Sequence, residues 1–179
     1  MNIQQLKFPI GEYISNVNPS KELINSWIKD IEDFPSKVEG LTKNISTEQL
    51  NWKYRPGGWT VKQVIHHCAD SHMNSIIRFK LALTEESPTI RPYFEDRWAE
   101  LVDSHDDDIS DSVSLLKGLH KKWVVLLKSL NDNDLKRDFI HPEHGKRFNL
   151  ADNIGVYAWH CNHHFAHMKN GLDSKGEYN

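Results

Sequence analysis

Tyr157-Ala158-Trp159-His160-Cys161-Asn162-His163-His164-Phe165-Ala166-His167 concentrates imidazoles in a segment whose apolar positions otherwise describe a buried helix. Asn149 offers an N-cap and Asp152 an acidic group in the first turn. Leu150, Ile154, Tyr157, Cys161, Phe165 and Met168 recur at helical spacing, and Gly171 predicts the stop. Side chains four residues apart share a helix face, which pairs His160 with His164 and His163 with His167. On a helical wheel His164 borders the apolar stripe with His160 just beside it, whereas His163 and His167 turn further toward solvent. The first pair is therefore the better candidate for metal ligation, since imidazoles one turn apart can converge on an ion about 2.0–2.1 Å from each nitrogen. Two histidines alone do not make a site, because a His-rich surface helix has the same spacing.

Upstream, the chain reads as three more long helices. Residues 1–17, with Pro9 and Gly11, read as irregular. Asn18-Pro19 predicts a helix start, and Leu23, Ile24, Trp27, Ile28, Ile31, Phe34, Val38 and Leu41 follow at helical spacing. Pro35 falls inside this pattern and is expected to kink or split the helix. Ser46 to Leu50 allows one short turn, and Pro56-Gly57-Gly58 marks a loop. Thr60 and Gln63 form a capping-box pattern opening a second helix, whose apolar face runs from Val61 through Val64, Ile65, Cys68, Ala69, Ile76, Phe79 and Leu83 to about Glu86. Pro88 and Pro92 punctuate a crossover with a short helix expected around Phe94–Val102. A third helix runs from about Ile109 to Leu130, followed by turn chemistry at Asn131-Asp132-Asn133-Asp134. Phe139–Phe148, containing Pro142 and Gly145, fits a small hairpin or an irregular loop. The expected fold class is all-α: a four-helix bundle with a long crossover, forming a single domain over residues 1–179.

Composition agrees. The 179 residues are 38% hydrophobic and 26% charged, enough for one core. A net charge of −3 without a Lys/Arg block gives a nucleic-acid partner no electrostatic support. The N-terminus lacks the apolar run of a signal peptide, and no segment approaches the roughly 20 apolar residues that span a bilayer. Cys68 and Cys161 both fall in helices without a disulfide pattern. A cytoplasmic protein with free thiols, and no membrane partner, is the plain expectation.

A third ligand is available in His66-His67-Cys68-Ala69-Asp70-Ser71-His72. His66 points away from the apolar stripe, His67 flanks it, and His72 lies nearer its middle. Periodicity leaves His67 and His72 both open.

Gly57-Gly58-Trp59-Thr60-Val61-Lys62-Gln63-Val64-Ile65-His66-His67-Cys68-Ala69-Asp70-Ser71-His72-Met73-Asn74, taken with Tyr157-Ala158-Trp159-His160, His163-His164 and His167, resembles the DinB/YfiT-like family, to which metal-dependent hydrolysis is ascribed. The likeness extends to Phe8-Pro9-Ile10-Gly11 and to Arg78–Glu86. It implies a four-helix bundle holding a divalent metal on three histidines, one on the second main helix and two a turn apart on the last. Carried onto this chain, the pattern selects His67, His160 and His164.

Cys68 and Cys161 each follow a proposed ligand, but adjacent helical positions point about 100° apart, so both are expected to face the core as inert thiols. His72, His163 and His167 read as second-layer or surface groups, and Asp70, Asn74 and Tyr157 as candidate supports for the ligands. Trp27, Trp59, Trp123 and Trp159 suit core or pocket wall. His120, His141 and His144 fit no pattern.

Three neutral imidazoles leave the charge of zinc, nickel or a similar ion intact, which favours an anionic nucleophile at neutral pH. The zincin motif H-E-x-x-H is absent because Cys161 follows His160, and neither a G-x-S-x-G elbow nor a P-loop occurs. The resemblance implies an S-transferase using a low-molecular-weight thiol such as bacillithiol against electrophilic small molecules. The alternatives are a metal-dependent hydrolase using water and a non-enzymatic metal- or thiol-binding module. A small-molecule substrate is expected, and a homodimer is compatible with this reading.

Overall fold

The structure is a computed structural model and describes residues 2–143 and 145–179. His144 therefore lies outside the described residues. In chain order the helices are α1 (Ile3–Lys7), α2 (Lys21–Thr42), α3 (Thr47–Leu50), α4 (Val61–Thr84), α5 (Glu95–Trp98), α6 (Ser110–Ser129), α7 (Asp132–Lys136) and α8 (Leu150–Asp173). A 3-10 turn covers Val102–His105, and strands β1 (Asp138–His141) and β2 (Lys146–Asn149) precede α8.

The four long helices α2, α4, α6 and α8 form the bundle. α2 packs on α6 and α8, and α4 packs on the same two partners. The successive long helices α2 and α4 thus sit across a diagonal, as do α6 and α8, so the connections must cross the bundle. Ile31, Phe34, Val38, Ile65, Phe79, Leu116, Trp123, Leu150, Ile154 and Met168 fill the interior between them. This apolar interior is the main source of stability. No helix among the described residues is long and apolar enough to cross a membrane.

Local signals explain most boundaries. Thr60 and Gln63 close a capping box at the start of α4, and Asn149 caps α8 by accepting from the Asp152 backbone N–H at 2.7 Å. The ambiguous stretch after α7 is a hairpin, with Phe139 opposite Phe148. The crossover after α4 is pinned to it, because Ile140 N–H donates to Pro88 O at 2.9 Å and Ile90 N–H donates to Ile140 O at 3.0 Å.

Five expectations change. The first residues are not wholly irregular, since Asn2 and Gln5 form a capping box on α1. α2 begins after Ser20, whose hydroxyl accepts from Leu23 N–H; of the kink or split expected at Pro35, the split is absent, since Lys21–Thr42 is one helix. Asn131 caps a short helix, α7, instead of ending in a turn. The short helix expected around Phe94–Val102 is only the single turn of α5, followed by the 3-10 turn. Gly171 does not stop α8, which continues to Asp173; it is buried where a Cβ would lie 2.7 Å from Val61 Cγ2, so it permits α8 to approach the start of α4.

The N-terminal segment lies along α8. Buried Asp152 accepts from Tyr13 Oη at 2.7 Å, Ser15 Oγ at 2.8 Å and Asn16 N–H at 2.7 Å. Further along, Trp159 Nε1 donates to Gly11 O at 3.1 Å. These bonds offset the burial of a carboxylate and hold the segment over one face of the histidine helix.

Candidate metal centre

His67 stands in the second turn of α4, with Trp59 packed against its ring at a centroid distance of 4.8 Å. His160 and His164 stand one turn apart on α8, their rings 4.3 Å apart and edge to face. The α4–α8 packing brings the three together, with one ligand atom from each within 4.8 Å of the others. His67 Nε2 and His160 Nε2 are 3.3 Å apart. Two nitrogens bound at 2.0–2.1 Å to one ion with tetrahedral angles would be separated by roughly 3.3–3.4 Å, so the donor set fits a zinc-sized dication.

A second grouping, Cys68, His72 and His160, also falls within 4.8 Å. Its chemistry is poorer. Burial pushes the Cys68 thiol well up, away from the thiolate that binds metal. Both His72 ring nitrogens are already engaged, Nδ1 with His120 Nε2 at 2.7 Å and Nε2 with His160 Nδ1 at 3.0 Å. The two histidines that periodicity leaves open are placed differently: His72 is fully buried and contacts His160 from behind, whereas His67 faces the pocket.

Burial dominates the electrostatics. It lowers the His67 pKa to about 4, with a smaller contribution from His167, and it holds His160 and His164 well below the usual imidazole range. Burial also takes His120 to about 4 and His167 to about 4, and holds His72 well below its ordinary value. All of these rings are neutral at neutral pH, the form that coordinates metal.

Above the three histidines opens a pocket of about 460 Å³, walled by Trp59, Trp159, Tyr93 and Tyr157. Arg78 reaches it from α4, and no hydrogen bond or ion pair with the described residues engages its guanidinium. Glu95, Asp96 and Glu143 line the rim. Ser71 Oγ lies 3.4 Å from His160 Nε2, and burial pushes the nearby Tyr93 hydroxyl up. The pocket is of small-molecule size.

Several residues are not where the sequence suggested. His163 and His167 are buried, not turned to solvent, because the N-terminal segment and Tyr54 cover that face. His163 stacks on Trp159 at 4.2 Å, and His167 stacks on Tyr54 at 4.0 Å. Cys68 and Cys161 are buried in the core, as expected. Among the described residues the Asn74 side chain donates to the Asp70 carbonyl alone, while the Tyr157 hydroxyl donates to Ser71 O at 3.3 Å. His66 is buried on the other side of α4, with Ser112 Oγ at 2.8 Å. His120, which fitted no pattern, touches His72. Its place in the stripe Leu116, His120, Trp123, Leu127 was the available signal, a polar side chain on the core face of a helix.

Known proteins share this architecture. A relative in Bacillus subtilis, YfiT, provisionally named a metal-dependent hydrolase, is 48% identical over 168 residues, covering 94% of each chain. A relative in Oceanobacillus iheyensis with the same kind of name is 50% identical over 162 residues, covering 90% of this chain and 93% of its own. The solved structure of YfiT, described as a probable metal-dependent hydrolase with an unusual four-helix bundle topology, superposes with a TM-score of 0.92 at 46% identity, covering 98% of this chain and 99% of that one. The sequence profile of the DinB superfamily matches residues 30–168, which include all three clustered histidines and most of the bundle; the chain belongs to that superfamily.

Proposed function

We propose that the chain is a metal-dependent enzyme that holds one divalent ion, zinc or nickel, on His67, His160 and His164 and activates a small nucleophile. The observation that carries this reading is the convergence of three neutral imidazoles at the floor of a pocket open to small molecules. A dication bound there supplies positive charge that favours the anionic form of a thiol or of water near neutral pH.

The chain's own residues favour a thiol with a polar tail. Among the described residues the Arg78 guanidinium has no hydrogen-bond or ion-pair partner, so this cation in the pocket wall suits a carboxylate, and Glu95, Asp96 and Glu143 at the rim suit an amine. A low-molecular-weight thiol carrying both groups, bacillithiol among them, would be oriented by these contacts with its sulfur toward the histidines. Trp59 and Trp159 offer apolar wall to an electrophilic partner and limit water beside it. Burial of Cys68 and Cys161 with thiols pushed well up makes neither a plausible attacking sulfur, so the thiol would be a substrate. Hydrolysis is the second reading, and the names of the relatives favour it.

The test incubates metal-loaded protein with a halonitrobenzene, with and without bacillithiol, and identifies products by mass. Thiol adducts formed at a metal-dependent rate that saturates in thiol are the expected result. Water-derived products without thiol dependence would establish the hydrolase instead. Absence of metal uptake at neutral pH would end both readings.

A further inference from the structure

In α2 the Ile31 carbonyl stands one turn before Pro35, the position whose N–H would close a helical hydrogen bond to it. Proline has no N–H, so this carbonyl, in the fully buried part of the helix, lacks its helical donor. His120 of α6 supplies one: its Nδ1 lies 2.6 Å from Ile31 O. A carbonyl only accepts, so His120 carries its proton on Nδ1. A neutral ring then leaves Nε2 as an acceptor, and His72 Nδ1, 2.7 Å away, has to donate. His72 Nε2 in turn accepts from His160 Nδ1 at 3.0 Å. His160 is left with a bare Nε2, the nitrogen that faces His67.

The second ligand on α8 repeats the logic. Lys7 is the last residue of α1, where helical carbonyls have no intrahelical donor. His167 Nε2 lies 3.1 Å from Lys7 O and donates to it. His167 Nδ1 is then the acceptor, and His164 Nδ1, 3.4 Å away, donates. His164 also keeps Nε2 bare.

We propose, resting on the three-histidine metal reading, that the chains Ile31–His120–His72–His160 and Lys7–His167–His164 fix the tautomers of both α8 ligands, so that each meets the ion through Nε2. A row of neutral imidazoles has two proton orders of similar energy, and the reverse order would put a proton on His160 Nε2 and block it. Ending each row on a carbonyl that cannot donate removes the wrong order. Pro35 is thereby tied to the metal site, since an N–H at that position would compete with His120 for Ile31 O. His72, His120 and His167 are positioning residues, acting through the ligands.

Nitrogen NMR of protein labelled in its histidine rings reports which nitrogen of each ring is protonated. Protons on Nδ1 of His120, His72, His160 and His164, and on Nε2 of His167, are expected in metal-free protein and, for the same rings, after zinc loading. A proton on Nε2 of His72 or His160 overturns the first chain, and one on Nδ1 of His167 overturns the second. Zinc affinity by chelator competition is the companion measurement. His120→Leu is expected to lose roughly 10- to 100-fold, whereas His120→Gln, with an amide N–H for Ile31 and a carbonyl for His72, should retain most of it. Equal affinity in wild type and both variants overturns the proposal. Should His120→Leu not fold, Pro35→Ala serves: lower zinc affinity without lower thermal stability is expected, and unchanged affinity counts against the chain. Wild-type protein that takes up no zinc would remove the metal reading, while the metal-free spectra judge the tautomers independently.

Discussion

His67 Nε2 on α4 and His160 Nε2 on α8 lie 3.3 Å apart, although 93 residues separate them in sequence. Only the packing of two helices that are not consecutive in the chain creates this distance. His67→Ala, His160→Ala and His164→Ala are therefore each expected to abolish stable metal retention through gel filtration, read by elemental analysis. Cys68→Ala removes a member of the competing group and is expected to keep full metal content. Loss of metal in Cys68→Ala with retention in His67→Ala would assign the ion to Cys68, His72 and His160.

His163 separates stability from metal binding. Its ring is buried against Trp159 and Phe8, and its Nδ1 has no hydrogen-bond partner among the described residues. His163→Ala is expected to lower unfolding free energy by about 1–3 kcal/mol through lost packing. Metal content should stay near one ion per chain. Chemical denaturation and elemental analysis on the same preparation check the two halves, and metal loss without destabilisation would place His163 in the centre itself.

Arg78 carries the substrate prediction. A guanidinium in a pocket wall, without a hydrogen-bond or ion-pair partner among the described residues, can bind a carboxylate through two parallel bonds, which a lysine cannot reproduce. Arg78→Lys and Arg78→Gln are expected to raise KM for an anionic thiol by roughly tenfold or more, with kcat changed far less. A thiol lacking the carboxylate should show no such difference. Equal sensitivity of both thiols would remove Arg78 from recognition.

What the sequence could and could not convey follows the range of each interaction. Helix spacing, the Thr60–Gln63 box and the Asn149 cap act within one or two turns, and all three are present as read. The pairing of His160 with His164 is equally local. The burial of His163 and His167 depends on Phe8 and Lys7 of the N-terminal segment and on Tyr54, all distant in sequence, lying over α8, which no local pattern encodes. The different placements of His67 and His72 likewise depend on the rotation of α4 against α8. The usual local meaning of Gly171 is a stop, and that of Pro35 a kink or split, of which the split is absent. In the bundle Gly171 instead admits Val61, and Pro35 leaves the Ile31 carbonyl for His120.

Acid should unfold the metal-free protein through these buried rings. Burial lowers His67 to about 4 and His120 to about 4, below the 6.5 expected of an exposed imidazole. The unfolded chain therefore binds more protons than the fold across this window, and stability rises with pH. The contribution is fully present above about pH 6.5 and is lost progressively as pH falls toward about 4. For His120 alone the shift corresponds to about 3 kcal/mol at its full extent, an upper figure because neighbouring imidazoles share the effect. The urea midpoint of metal-free protein, followed from neutrality to about pH 4, is expected to fall steeply and to report uptake of more than one proton on unfolding. His120→Gln cannot titrate at this position, so its profile should be flatter while keeping the same direction. A midpoint that does not move across this range would mean that the rings are solvated in solution, and would count against their neutral, buried placement behind the metal centre.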